Sequence, residues 1–184
     1  MDAKEMVKQS LPLLILCGFG GILAGSTLGA MKSVLEDIPG LLIVIPGVIA
    51  LRGNISTALG SRLGSAYHLG IINADNLWNE ELKQNILGSL TLSLLMSFII
   101  GILAYVTSFL FNVQPNPLQL IAIVLIAGVI SGLVQASLTI IIIYLVFKRG
   151  YDPDNVTGPA LATFGDVITM LCLFGSAILL GGLS

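Results

Sequence analysis

The sequence has little charge and few of the residues that enzymes use. Charged residues make up 10% of the 184 positions, whereas a soluble domain carries about 25%. One histidine and two cysteines, Cys17 and Cys172, offer no metal-ligand spacing, and both cysteines lie in apolar runs. The net charge of −2 comes without a basic cluster, which disfavours a nucleic-acid partner. Because the chain also lacks a Ser–His arrangement and a paired acidic motif, we do not expect an enzyme.

Hydrophobic residues fill the space that charge leaves. They make up 55% of the sequence, and the mean hydropathy is +1.00. A helix needs about 20 apolar residues to cross a bilayer, and the runs here are too long and uniform for barrel strands. The sequence therefore predicts an all-α membrane protein, a bundle of five transmembrane helices in a single transmembrane domain. That domain covers residues 1–184, and the predicted spans are 11–31, 38–65, 85–111, 118–147 and 156–181.

The distribution of lysine and arginine predicts the orientation of these spans. Positive residues concentrate on the cytoplasmic side of membrane proteins. With the N-terminus inside, only Lys32 is external, and the uncharged turn at residues 112–119 is external as well. We therefore expect a plasma-membrane protein with a cytoplasmic N-terminus and an external C-terminus. The cytoplasmic set is Lys4, Lys8, Arg62, Lys83, Lys148 and Arg149.

The last predicted span contains one carboxylate, Asp166, near its middle. A charged residue at that depth costs roughly 2.5–3.5 kcal/mol to insert. The carboxylate must therefore be protonated, paired with a cation or bound to one. Arg52 in the second span could pair with it and lock two helices together. The alternative that we favour is an ion or proton site, because ionisable groups inside membranes are functional by default.

Polar and small residues form stripes that include Asp166. A stripe of this kind on a membrane helix faces protein or water rather than lipid. We expect the stripes of three spans to line a polar cavity or pore together. The last span contributes Asn155, Pro159, Ala162 and Asp166, with Thr163 on the flank, the second contributes Asn54, Ala58 and Ser61, and the fourth contributes Gln135.

The neighbours of Asp166 indicate the class of ion. Side chains and carbonyls that offer only oxygen suit Na⁺, Mg²⁺ or Ca²⁺. One carboxylate is too few for a dehydrated divalent ion, but Mg²⁺ keeps several waters and needs only one or two carboxylates. Two copies of Asp166 around a symmetry axis would supply both, so we expect a homodimer. Asp152 and Asp154 come just before this helix, either as an N-terminal cap or as a cytoplasmic mouth that concentrates cations.

Small residues recur at four-residue steps in three spans. This spacing lets helix backbones approach closely, either between subunits or within one protomer, and the sequence leaves both interpretations open. The residues are Gly21, Gly25 and Gly29 in the first span, Ser89, Ser93, Ser97 and Gly101 in the third, and Gly128 and Gly132 in the fourth.

Two motifs carry a family resemblance. "PGVIALRGNISTALGSRLGSAYHLG" at residues 46–70 and "DPDNVTGPALATFGDVI" at residues 152–168 resemble the membrane domain of the MgtE family of magnesium transporters. The sequence is closer to the branch that includes the eukaryotic solute carriers related to MgtE. The resemblance implies a divalent-cation pathway, for magnesium first, formed between two five-helix units.

The resemblance also assigns roles to individual residues. It implies that Asp166 faces the pore and holds hydrated magnesium, and that Asp152 opens the same motif. It further implies a ligand at the backbone carbonyl of Ala162 and matches the Gly-Asn pair of the family to Gly53 and Asn54.

This sequence departs from the family pattern in three ways. Bacterial members carry large cytoplasmic N-terminal and CBS domains, whereas about ten residues precede the first predicted span here, so we expect no gating by such domains. The eukaryotic carriers have two units in one chain, and a homodimer would restore that pair. Some bacterial members have a polar ligand where this chain has Gly158.

Two alternative functions remain open. The protein could be a Na⁺- or H⁺-coupled divalent-cation exchanger or a non-transporting membrane subunit.

Overall fold

The chain folds into a helical bundle, known here from a computed structural model that describes residues 3–72, 78–149 and 153–181. Five of its helices are long and apolar enough to cross a membrane. The prediction of an all-α membrane protein with five transmembrane helices is confirmed. The helices are α1 (Ala3–Ala30), α2 (Lys32–Asp37), α3 (Leu41–His68), α4 (Glu80–Leu110), α5 (Pro117–Lys148) and α6 (Pro153–Gly181).

The ends of these helices follow local chemistry. The Asn79 side chain accepts a hydrogen bond from the Leu82 amide at 3.0 Å and caps the start of α4. Asn116 caps α5 in the same way, ahead of a proline in the first turn, where a missing amide is harmless. Gly40, with a φ of 83°, separates α3 from the short helix α2, which the sequence analysis did not predict. A left-handed residue here favours glycine.

Helix α6 lies at the centre of the packing and contacts α1, α3 and α5. Helix α4 packs against α3 and α5. A continuous apolar core joins α3, α5 and α6 and includes Val44, Ile123 and Leu173, each with 0% of its surface exposed. By contrast, α1 lies at the edge of the bundle, where it packs on α6 and touches α2.

Helix α6 runs antiparallel to both α3 and α5, which fixes the depth of residues in these three helices relative to one another. The start of α3 meets the end of α6, because a Cβ on Gly181 would lie 3.8 Å from Ile38 Cδ1. Further along, a Cβ on Gly60 would lie 2.8 Å from Leu161 Cδ1.

Helices α5 and α6 are related in the same way. Gln119 Nε2 donates to the Leu180 carbonyl at 3.0 Å near one end of the pair. Gln135 Nε2 donates to the Leu161 carbonyl at 3.4 Å nearer the other end. Residues from separate spans can therefore be assigned to one level of the membrane.

The small residues of α4 and α5 pack inside one protomer. A Cβ on Gly101 would lie 3.1 Å from Ile121 Cα, so the two backbones are in close contact there. A Cβ on Gly132 would lie 3.1 Å from Ser93 Oγ. For these two helices the structure supports packing within the protomer. In α1 the glycines at 21, 25 and 29 have open space around them, so a subunit interface there stays a prediction.

Candidate functional site

Asp166 occupies the middle of α6. Thirteen residues of this 29-residue helix precede it, and its side chain is half-buried. Within the described parts of the chain, its carboxylate has neither a hydrogen bond nor an ion pair, and the ion pair found there joins Lys83 to Glu80 at 3.6 Å. The alternative in which Arg52 pairs with Asp166 is therefore not what the structure shows.

The face of α3 that carries Asn54, Ala58 and Ser61 is exposed on the protomer. Its opposite face is buried and includes Leu59 and Leu63, which are 1% and 2% exposed. Polar groups on a membrane helix need protein or water beside them. This face of α3 is therefore where a single protomer lacks a partner.

Asn54 lies at the level of Asp166. Gly60 of α3 is in contact with Leu161 of α6, and the two helices are antiparallel. Asn54 lies six residues before Gly60, and the residue that follows Asp166 lies six residues after Leu161. The exposed polar face and the unpaired carboxylate therefore lie at a similar depth along the bundle.

Two other predicted residues of α6, Pro159 and Thr163, lie toward α1. Pro159, Ala162 and Thr163 are each partly buried. The Pro159 carbonyl accepts hydrogen bonds from Thr163 Oγ1 at 2.9 Å and from Cys17 Sγ at 3.4 Å. The Thr163 methyl group packs on Gly20 of α1. Pore lining by these three residues stays a prediction.

Gln135 is 3% exposed and lies between α5 and α6. Its amide reaches the Leu161 carbonyl and packs on Gly165, the residue before Asp166. The structure thus places it inside the protomer, away from the exposed face of α3. A pore-lining role for Gln135 also stays a prediction.

Three predicted residues at the start of α6 lie wholly or partly outside the described part of the chain. Asp152 lies outside the described residues. Asp154 and Asn155 fall in the first turn of α6, but their side chains lie outside the described part. Their roles as ligand, cytoplasmic mouth and pore lining stay predictions.

Sequence reasoning missed a polar cluster around Arg52. This arginine is 1% exposed, and it donates from Nη1 to Ser93 Oγ at 2.6 Å and from Nη2 to Ser97 Oγ at 3.4 Å. Arg62 donates to Ser89 Oγ at 3.3 Å. The serines at four-residue steps in α4, which the sequence analysis explains only by close approach of helix backbones, therefore also accept hydrogen bonds from both arginines of α3. The available signal was a second intramembrane charge at a depth similar to that of these hydroxyls.

Glycines of α5 make room for the Arg52 guanidinium. A Cβ on Gly132 would lie 2.8 Å from its Nη1, and one on Gly128 would lie 3.4 Å from its Nη2. Arg52 and Gln135 also line a polar cavity of about 10 Å³, which suffices for about one water molecule. Arg52 Nε and Gln135 Oε1 are both buried there and have no hydrogen-bond partner among the described residues.

A bundle of membrane-length helices, with an unpaired acid in the middle of one helix and an exposed polar face at a similar depth on another, has the features of a membrane transport protein. Residues 45–176 match the MgtE family, which is described as a divalent cation transporter. The match covers most of the chain, and the chain belongs to this family. The resemblance seen in the two sequence motifs is confirmed.

Individual relatives agree with this assignment. Solute carrier family 41 member 2 from Gallus gallus is 29% identical over 178 residues, which cover 91% of this chain and 30% of the relative. Its counterpart from Xenopus laevis is 30% identical, with 91% and 31% covered. The magnesium transporter MgtE from Bacillus subtilis is 24% identical over 180 residues, with 96% and 38% covered. The chain thus spans about a third of the length of these relatives.

Proposed function

We propose that two copies of this chain form a pathway for divalent cations, preferably Mg²⁺, with one Asp166 from each copy facing a shared axis. The observation that carries the proposal is a carboxylate in the middle of α6 without a protein partner, at the depth of the exposed polar face of α3. Membership of a divalent cation transporter family supports it. The transported ion then compensates the charge that the protomer leaves unpaired.

Hydrated Mg²⁺ fits the groups at this level. It keeps most of its waters and is bound through one or two carboxylates. In a dimer two copies of Asp166 would supply these, and the side chain of Asn54 and the carbonyl of Ala162 would contact the ion or its waters. At the cytoplasmic end of α6, Asp152 and Asp154 would raise the local concentration of cations before entry.

A homodimer would also cover the polar surface of α3. Asn54, Ala58 and Ser61 would face water in the pathway or the second copy instead of lipid. Two-fold symmetry is the commonest closed arrangement of identical chains. The excess of lysine and arginine on one side orients the N-terminus to the cytoplasm and the C-terminus outward, and we assign the protein to the plasma membrane.

The proposal is tested by Mg²⁺ flux into proteoliposomes containing the wild type or Asp166→Asn. We expect the substitution to abolish flux while the dimer remains intact, because it removes both carboxylates from the axis. Asp37→Asn is the matched control, since Asp37 is an exposed carboxylate at the end of α2 and should keep wild-type flux. Wild-type flux in Asp166→Asn would refute the assignment.

The same vesicles separate the alternative functions. Flux that requires an imposed Na⁺ or pH gradient would indicate a coupled exchanger, with Na⁺ or H⁺ as the second ion. Flux driven by the Mg²⁺ gradient alone would indicate a channel or uniporter. A purified wild type that passes no ion under any gradient would indicate a non-transporting membrane subunit.

A further inference from the structure

We infer that Arg52 is a fixed positive charge near the ion pathway, held within about two helical turns of the depth of Asp166 but not paired with it, and that it limits how tightly the pathway holds a divalent cation. This inference rests on the proposed function. It assigns a specificity-determining role to a residue outside the exposed polar face.

Arg52 carries a full positive charge inside the membrane. A guanidinium is always protonated in proteins, and its side chain is 1% exposed here. A charge of this kind costs roughly 2.5–3.5 kcal/mol at the centre of a membrane helix. No carboxylate within the described ranges lies in ion-pair contact with it. Its charge is therefore solvated by dipoles but not neutralised.

Neutral groups hold the guanidinium in place from three sides. Ser93 and Ser97 accept hydrogen bonds from its two terminal nitrogens. Its Nε faces the same small cavity as Gln135 Oε1, so that one water could accept from the first and donate to the second. Gly132 leaves the space that the terminal nitrogens need. This arrangement fixes the position of the charge and keeps it away from the exposed face of α3.

The guanidinium lies close to the depth of Asp166. Gln135 of α5 packs on Gly165 of α6, and the two helices are antiparallel. Gly132 and Gly128, which adjoin the two terminal nitrogens of Arg52, are therefore level with residues two and six positions beyond Asp166. Contacting helices have axes about 8–10 Å apart. The two side chains form no ion pair, but a doubly charged ion at Asp166 would feel the arginine charge over a longer range in a protein interior of low dielectric constant.

An ion at Asp166 would therefore be repelled by Arg52. A pathway must bind its ion strongly enough to admit it and weakly enough to release it. Two carboxylates in a site of low dielectric constant would hold a divalent ion tightly, and the two arginines of a dimer would oppose that. Loss of the positive charge should tighten the binding of Mg²⁺, whereas loss of packing alone should not.

The test is the Mg²⁺ concentration that gives half-maximal flux in proteoliposomes, together with the apparent melting temperature. Arg52→Met removes the charge. Gln135→Glu keeps Arg52 and places a carboxylate where Oε1 faces the cavity, which neutralises the charge with less loss of packing. Arg52→Lys retains the charge. Leu63→Ala is the structural control, because Leu63 is buried on the same face of α3 eleven residues away.

We expect Arg52→Met and Gln135→Glu to lower the half-saturating Mg²⁺ concentration by roughly ten-fold or more, the scale of a unit charge acting on a divalent ion across a protein interior. Arg52→Lys should stay within about two-fold of the wild type on the same grounds. Leu63→Ala should lower the melting temperature and leave the half-saturating concentration unchanged.

Three outcomes would overturn the inference. The first is a half-saturating concentration that is unchanged or raised in Gln135→Glu, which keeps the test valid if Arg52→Met does not fold. The second is an Arg52→Met variant that folds and whose half-saturating concentration is unchanged or raised. The third is an absence of Mg²⁺ flux in the wild type, which would refute the proposed function and this inference with it. Normal wild-type flux with the first or second outcome would refute the inference alone.

Discussion

Two intramembrane charges, Asp166 and Arg52, meet different surroundings in the same protomer. The carboxylate has no protein partner among the described residues and lies at the depth of an exposed polar face. The guanidinium is enclosed by hydroxyl groups and glycines. The first arrangement is suited to an external ligand and the second to a permanent internal charge. Asn54 is the exposed polar side chain of α3 closest in depth to the carboxylate.

At the residue scale we predict that Asn54→Leu reduces Mg²⁺ flux about ten-fold or more, as loss of an outer-shell partner of a metal ion does. The amide would no longer bind the waters of an ion held by Asp166. Mg²⁺ flux in proteoliposomes is the measurement. Thr91→Leu is the control, because Thr91 is an exposed polar residue of α4 that donates to the Leu87 carbonyl of its own helix. Equal flux in the two variants would contradict the role of Asn54.

Sequence reasoning predicted the importance of Asp166 but not the conformation of Arg52. A lone carboxylate in an apolar span is visible in the sequence because insertion scales penalise it wherever the side chain points. The sequence does not reveal the partner of an arginine, because the long side chain can reach several helices. The choice of Ser93 and Ser97 over Asp166 depends on the rotation of α3 about its axis, which the sequence pattern left open.

Helices α4 and α5 approach closely because small residues line their contact. Gly101 lies against the backbone of Ile121, and the serines and glycines further along enclose Arg52. Backbone contacts of this kind are the main source of helix association in lipid, where no hydrophobic driving force acts between helices. The pair α4–α5 thus forms the wall against which the charge of α3 is fixed.

At the element scale we predict that Gly101→Ala destabilises the bundle by about 1–3 kcal/mol, the range for overpacked interiors. The added methyl group would lie 3.1 Å from Ile121 Cα, and a backbone atom cannot move aside as a side chain can. The apparent melting temperature in detergent is the measurement. Gly88→Ala, in the same helix with open space around it, should be neutral or slightly stabilising. Equal melting temperatures for the two variants would contradict close α4–α5 packing.

The long helices were predictable, and the short one was not. Each of the five spans is an apolar run bounded by charge or by a proline-containing turn, so its existence follows from length and hydropathy. Helix α2 has only six residues and lies between α1 and α3. A short charged segment in that position predicts a loop. Its separation from α3 depends on the left-handed Gly40, a local conformation that hydropathy does not report.

For the whole molecule, the protomer does not bury its own polar surface. Helix α3 exposes Ser61 together with the neighbouring polar positions, although it contacts α4, α5 and α6 on its other sides. The family and the five-helix architecture could be predicted from two motifs and the hydropathy. The number of copies could not be predicted, because a two-fold axis is indicated in a sequence only by surfaces that lack a partner.

At this scale we predict that Ser61→Cys, in a background with Cys17→Ala and Cys172→Ala, forms a disulfide-linked dimer when membranes are oxidised. Two copies that face each other through α3 would bring the introduced thiols together across the axis. Non-reducing gel electrophoresis is the measurement. Ser137→Cys is the control, because Ser137 is an exposed serine of α5 on a surface with no proposed partner. Similar cross-linking of the two variants would contradict the proposed interface.

The placement of Arg52 also has a consequence for how the chain is made. Its hydroxyl partners lie 41 and 45 residues further along the sequence. Helix α3 therefore emerges from the ribosome before the two serines that solvate its charge. A solitary α3 is therefore poorly suited to enter lipid, and it should stay at the insertion machinery until α4 arrives. The two helices would then be released together as a hairpin, and biogenesis would proceed in a fixed order.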